Sequence, residues 1–182
     1  MTKDDWIKQS LNLVSKHGAN ILKIDSLCKK LKVTKGSFYH HFKNHKLFID
    51  TILEYWYTTF TLDIIEQIQK HKNDPLKQIE LLNEIIYSKD LNIEIEFRAW
   101  ALRDKSFHNY IQKIDEARIK VIENIQEKLN PSYSLENRKL ISKYIYTQFI
   151  GSLFVIPRVS KNEQKNLDDL FVKLLTNKEN IC

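Results

Sequence analysis

The stretch from Asp25 to Lys46, DSLCKKLKVTKGSFYHHFKNHK, constrains the fold more than any other part of the chain. Asp25 can cap a first short helix that carries Leu27, Cys28 and Leu31 on its inner side. Thr34 can cap a second, because its hydroxyl can accept from an otherwise unpaired amide one turn on. Only Lys32 and Val33 lie between Leu31 and Thr34, which leaves room for a helix-turn-helix corner and little else. Asn44 then caps a new helix that starts at His45.

On a 3.6-residue wheel the second segment divides by chemistry. Phe38 and Phe42 stack on one side, four apart, to dock on the first segment with Val33. Gly36, Ser37 and His40 point the opposite way; Lys35 and Tyr39 flank one edge and His41 the other. A small polar face with cationic and aromatic edges suits a DNA major groove, where a helix comes close and its flanks reach phosphates. An ordinary amphipathic helix with a solvated polar face has the same wheel, so the wheel alone does not separate the two.

Charge separates them. The chain carries a formal net charge of +6 over 182 residues, unevenly distributed. Residues 1–46 hold ten Lys against Asp4, Asp5 and Asp25, a surplus of +7, while the other 136 residues come to −1. A basic module on a neutral body is the electrostatic footprint of nucleic-acid binding. A membrane-surface helix is the main rival, but it needs a broad apolar face for lipid, whereas these short segments pack on each other. The most apolar run, Tyr144 to Ile156, contains Thr147, Gln148 and Ser152 and is too short to span a bilayer, so no membrane partner is expected. The opening MTKDDWIKQSL has acidic residues where a secretory leader needs a basic stretch and a long apolar one, and a cytoplasmic location is expected. Cys28 and Cys182 stand far apart in sequence and imply no disulfide framework.

Three Gly and three Pro leave few places to break a helix, and Pro75, Pro131 and Pro157 each sit at an apparent helix boundary. An all-α protein of about nine helices follows: an N-terminal three-helix head over residues 1–46 and a helical effector-binding and dimerisation domain over 47–182. Ile7, Leu11 and Val14 mark the first helix, from about Asp4 to His17, which Gly18 ends. A long helix runs from His45 to about Lys72, with Leu47, Phe48, Ile52, Tyr55, Trp56, Phe60, Ile64 and Ile68 around its inner face. Asp74-Pro75 starts the next, with Leu76, Ile79, Leu82 and Ile86 inward. Leu91, Ile93, Ile95 and Phe97 alternate like a strand, but EIEFRAWALRD continues helically and no partner strand exists elsewhere. Helices from Ser106 to Leu129 and from Ser134 to Pro157 follow, and Ser160 with Glu163 forms a capping box for the last. Ile141, Ile145, Phe149, Ser152 and Ile156 approximate a coiled-coil seam, and Leu167, Leu170, Phe171, Leu174 and Leu175 line the final helix. With Gly151-Ser152 allowing close approach, these two helices offer the expected homodimer face.

The run Thr34-Lys35-Gly36-Ser37-Phe38-Tyr39-His40-His41-Phe42, followed by a short turn and a long helix, resembles the recognition helix of TetR-type (TetR/AcrR family) transcriptional regulators. The signature covers about residues 5–56. IEFRAWALRD and KIDEARIKVIENI resemble the E-x-x-x-R-A-W-A-x-R-D…V-D-x-x-R segment of one branch of such regulators. The resemblance implies a double-stranded DNA operator, with Lys35, Ser37 and His40 in the groove beside Gly36, and Tyr39 and His41 at or near phosphates. It implies that Thr34 contacts the backbone as well as capping. Three positions depart from the family pattern. His45, with Lys46 beside it, stands where a phosphate-gripping Lys is usual; Lys32 stands where Gly is usual, which requires φ > 0 at about 1 kcal/mol; and Lys23 replaces a capping Thr with a phosphate-facing charge.

The resemblance also implies a small-molecule effector held in the body. Trp56, Phe60, Phe97, Trp100, Tyr110 and Phe149 could line its pocket or fill the core, and most must be core. Arg98, Arg103 and Asp104 near Trp100 read first as a structural ion-pair cluster and second as an anchor for an anionic ligand. His41 and His45 are four apart with Cys28 near, but Asn44 breaks the helix between them, so no metal site or cofactor is expected. No Gly-rich phosphate loop, nucleophile elbow or paired catalytic carboxylate set is present, and no enzyme activity is expected. A repressor released by its effector is the leading expectation. A ligand-independent regulator, an activator, or an all-α module that binds an acidic protein partner are the alternatives.

Overall fold

The computed structural model describes residues 1–176, apart from the side chains of Lys161, Val172 and residues 174–176, and every regular element in it is helical. Helix α1 spans Lys3–His17 and is followed by a 3₁₀ turn, Ala19–Leu22; α2 spans Ile24–Leu31 and α3 spans Lys35–His41. Helix α4 runs through His45–Tyr57, passes a π-helical segment, Thr58–Leu62, and continues as Asp63–Gln69. Helices α5 (Pro75–Ser88), α6 (Asn92–Ala101), α7 (Lys105–Leu129), α8 (Leu135–Ser152) and α9 (Lys161–Thr176) complete the body. Among the described residues there is no strand, and no helix is long and apolar enough to cross a membrane.

Helix starts follow local capping chemistry. The Thr2 hydroxyl accepts from the Asp5 amide at 3.1 Å while the Asp5 carboxylate accepts from the Thr2 amide at 2.7 Å, so α1 begins a residue before Asp4. Asn44, Asp74, Asp104 and Ser134 accept from amides in the first turns of α4, α5, α7 and α8. Ser160 and Glu163 form the reciprocal bonds of a capping box ahead of α9. The expected cap at Asp25 is not formed. The 3₁₀ turn feeds the chain into α2 through Lys23, without a side-chain cap, and Asp25 lies inside the helix and pairs with Lys35 at 2.5 Å. Lys32 adopts φ 55° and ψ 41°, which lets the Val33 amide return to the Cys28 carbonyl at 3.0 Å and turns the chain into α3.

Four further expectations are corrected. The helix after Asn44 is not uniform, because the π segment interrupts it; α8 ends at Ser152, so Ile156 lies beyond the helix and is 93% exposed. Leu76 faces outward at 66% exposure, and the buried residue of that first turn is Gln78, whose Nε2 donates to the Ile68 carbonyl at 3.1 Å. Leu47 is likewise exposed, while Ile49 and Leu53 join Phe48, Ile52 and Trp56 in the core.

One hydrophobic core runs without a break from head to body. In the head, Trp6 meets Phe38 and Phe42 edge-on at 5.6 and 6.3 Å, and Phe48 of α4 meets both phenylalanines. In the body, Trp56, Phe97 and Phe107 pack in sequence, and Trp100 stacks on Phe107 at 4.5 Å. Helix α1 packs on α6 as well as α4, and polar contacts flank that seam: Ser15 of α1 donates to Asp90, just before α6, and the Ala19 amide of the 3₁₀ turn donates to Glu96 Oε2 of α6 at 3.0 Å.

Candidate nucleic-acid interface

Helix α3 is anchored from behind and open in front. Phe38 is fully buried and Phe42 nearly so, and Thr34 caps the helix by accepting from the Ser37 amide at 3.2 Å. On the outward side Thr34, Lys35, Gly36, Tyr39 and His40 are exposed, while Ser37 and His41 are half-buried. Gly36 has no packing duty: a Cβ there would meet only the Thr34 hydroxyl oxygen at 3.6 Å, an ordinary contact. Lys35, paired with the exposed Asp25, has its ammonium pKa raised by the hydrogen bond to that carboxylate, so it stays charged. Lys23, before α2, and Lys46, in the first turn of α4, are exposed. His45 is half-buried, and its Nε2 is 2.9 Å from the Leu22 carbonyl, so it ties α4 to the 3₁₀ turn.

The aromatic residues weighed for an effector pocket separate into two sets. Trp56 and Phe97 are fully buried core, with Phe60, Trp100 and Tyr110 packed against that core. Phe149 borders a cleft that lies between the α5–α6 and α8–α9 connections. Arg98 is locked in a structural network. Its Nε donates to Glu94 at 2.8 Å, and its two terminal nitrogens donate to Asp115 at 3.2 and 2.6 Å. Tyr146 accepts from Arg98 at 2.8 Å and donates to Asp115 at 2.6 Å, and burial raises its phenol pKa. Arg103 is exposed, and Asp104 is spent on capping α7.

Arg118, which no single motif position marked out as a site, completes that network. It donates to Glu94 at 3.0 Å, to the Thr61 hydroxyl at 3.1 Å and to the Phe60 carbonyl at 3.1 Å. Thr61 and Phe60 lie in the π segment of α4, where wider winding disturbs the regular i to i−4 ladder and leaves carbonyls to be met by other donors. The E-x-x-x-R and D-x-x-R spacings of the sequence are therefore the spacings of one buried cluster, Glu94, Arg98, Asp115 and Arg118, with two positive and two negative groups.

On α8, Ile141, Ile145, Phe149 and Ser152 are half-buried on the side that packs on α7, where Ser142 and Tyr146 are fully covered. The outward side carries Leu140 and Tyr144, 60% and 50% exposed, and Tyr144 meets Phe171 of α9 at 5.4 Å. Leu167 and Leu170 of α9 are also exposed, while the side chains of Leu174 and Leu175 lie outside the described residues, as does Cys182. Leu140 and Tyr144 were missed because Ile141 and Ile145, one position on, make an equally regular apolar repeat.

No family model and no curated protein matches the sequence. A solved structure does: a transcriptional regulator (TerR/AcrR family) from Aquifex aeolicus, 24% identical, superposes with a TM-score of 0.72 over 96% of this chain and 99% of that one. The chain has a TetR-type fold. In that TetR-type architecture α1 to α3 form the helix-turn-helix head and α4 enters the helical body.

Proposed function

We propose that this protein is a sequence-specific DNA-binding transcriptional regulator that works as a homodimer in the cytosol, as a repressor released by a small-molecule effector. The observation that carries the reading is the division of α3, with Phe38 and Phe42 sealed behind it and Gly36, Tyr39 and His40 presented to solvent on a basic head. Lys35, Ser37 and His40 read base edges from the major groove, with Gly36 allowing the backbone to approach. Thr34, Tyr39, His41, Lys23 and Lys46 bind phosphates and set the register. The description of the solved neighbour as a transcriptional regulator supports the same reading.

Two copies meet through the outward strip of α8 and α9, which sets two recognition helices about 34–36 Å apart, one turn of DNA. Effector binding in the body moves α4, alters that spacing and weakens binding through geometry rather than charge. Selection from a random duplex pool, followed by gel shift, tests the proposal. Enrichment of a palindrome is expected, with affinity for it lost in His40→Ala and Tyr39→Ala. Unchanged affinity in both variants overturns the groove assignment, and no enrichment at all points to an acidic protein partner instead.

A further inference from the structure

The cleft beside Phe149 has room for about 220 Å³, enough for one ring with short substituents. Ile95, Phe149 and Leu153 make its apolar wall, and Asp90, Arg158 and Gln164 supply polar groups. Two of those polar groups bear on a ligand: one is a cation without a counter-charge and the other carries a buried acceptor without a donor. Arg158 is exposed and donates to the neutral side-chain carbonyl of Asn92 at 2.6 Å, and it forms no ion pair among the described residues. Gln164 Oε1 is buried without a hydrogen-bond partner. The orientation of that amide is set by Asp168, which only accepts: it takes the Gln164 Nε2 hydrogen at 2.9 Å and the Tyr87 hydroxyl at 2.6 Å. The wall therefore offers a cation at one point and, just beneath its surface, an unanswered acceptor at another, with apolar side chains lining the space. Lys89 also lines the cleft, with its ammonium held over the Phe60 ring at 5.2 Å. The carboxylates nearby are engaged, Asp90 by Ser15 and Asn92 and Asp168 by Tyr87 and Gln164.

The same wall touches the head. Asp90 Oδ1 accepts from the Asn92 amide at 3.0 Å, which holds the start of α6, and its Oδ2 accepts from the Ser15 hydroxyl at the end of α1. One turn along, Glu96 accepts from the Ala19 amide, beside Gly18 with φ 77°, where a Cβ would come within 2.9 Å of the Glu96 carboxylate. We propose that this cleft binds a small organic acid bearing a hydrogen-bond donor, and that the Asp90–Ser15 contact passes its occupancy to the head. The acid group faces Arg158, the donor answers Gln164 Oε1, and the carbon skeleton covers Phe149. This second half rests on the reading that the head binds DNA; the first half does not.

The test uses the full chain and three matched probes: 4-hydroxyphenylacetate, its neutral amide, and tyramine. Titration followed by nuclear magnetic resonance should move the Asn92, Ile95 and Leu153 resonances with the acid, and weakly or not at all with the amide and the amine. Arg158→Gln should lower the acid's affinity roughly tenfold, the loss of one charge-assisted contact. Absence of shifts at these residues with millimolar acid, equal binding of tyramine, or unchanged affinity in Arg158→Gln overturns the site. In the second arm, the acid should change affinity for the selected duplex about tenfold in the parent protein. Ser15→Ala should keep acid binding and lose that effect. Acid binding with no change in duplex affinity in the parent, or with the full change retained in Ser15→Ala, overturns the coupling. A protein that binds no duplex at all refutes the DNA reading while leaving the acid site to stand or fall on the first arm.

Discussion

At the scale of single residues, Gly36 and Glu94 do opposite jobs. Gly36 contributes nothing to packing, and its added Cβ would point into ordinary van der Waals space. Gly36→Ala should therefore keep or raise stability, by up to about 1 kcal/mol from reduced backbone freedom, measured by urea unfolding. The same variant should bind the selected duplex more weakly, because a methyl group stands between the backbone and the groove. Unchanged duplex affinity would remove Gly36 from the contact surface. Glu94 is 3% exposed and serves Arg98 and Arg118 at once. Glu94→Gln strips one of the two negative charges in the cluster, the one shared by Arg98 and Arg118, and should cost about 3 kcal/mol, the scale for breaking a buried pair from one side. A loss under about 1 kcal/mol, the worth of an ordinary hydrogen bond, would mean that water rather than Glu94 compensates those arginines.

At the scale of elements, the turn between α2 and α3 and the π segment of α4 show how local departures are held in place. Lys32 sits at φ 55°, a conformation that costs a residue with a Cβ about 1 kcal/mol relative to glycine. Lys32→Gly should raise stability by about that amount, read as a shift in the urea midpoint at unchanged slope. A fall instead would show that the lysine side chain contributes more than its backbone strain takes away. The π segment is held from outside, by Arg118 on the Phe60 carbonyl and the Thr61 hydroxyl. Helix α4 is thus fastened at both ends of its head-proximal half: His45 to the Leu22 carbonyl at the start, and the Arg118 cluster at the winding change. The second fastening comes from α7, whose Arg118 also reaches Glu94 of α6.

At the scale of the whole molecule, the head and body are not separate cores joined by a lever. Trp6, Val14, Phe38, Trp56 and Phe97 belong to one continuous apolar cluster, so unfolding of the head should not be separable from that of the body. The outward strip of Leu140, Tyr144, Leu167 and Leu170 is the face available to the proposed dimer. Tyr144→Glu places a charge on that strip and removes the ring that meets Phe171. Sedimentation should shift from dimer to monomer at micromolar concentration, with circular dichroism unchanged. A parent protein that sediments as a monomer, or a variant that remains dimeric, would locate the interface elsewhere or dismiss it.

By itself the sequence determined the helical class, most helix starts and the two-sided character of α3. These depend on neighbours three or four positions apart: Thr34 and Ser37, Asn44 and Leu47, Asp74 and Lys77, Ser160 and Glu163, Phe38 and Phe42. Where a longer-range partner competes, the local reading failed. Asp25 falls inside α2, which the 3₁₀ turn starts at Ile24, and pairs with Lys35, and the regular winding of α4 changes where Arg118, 57 positions on, meets Thr61. The same limit explains the body. Glu94, Arg98, Asp115 and Arg118 are spaced as helical pairs in the sequence, but which pairs face each other depends on how α6 and α7 cross. The cleft by Phe149, the choice of Leu140 and Tyr144 over Ile141 and Ile145 as the outward face, and the bonds from Asp90 to α1 and from Glu96 to the 3₁₀ turn were decided only by tertiary packing. Capping and periodicity are energies of adjacent turns, whereas a cleft and a shared core are properties of surfaces brought together from distant segments.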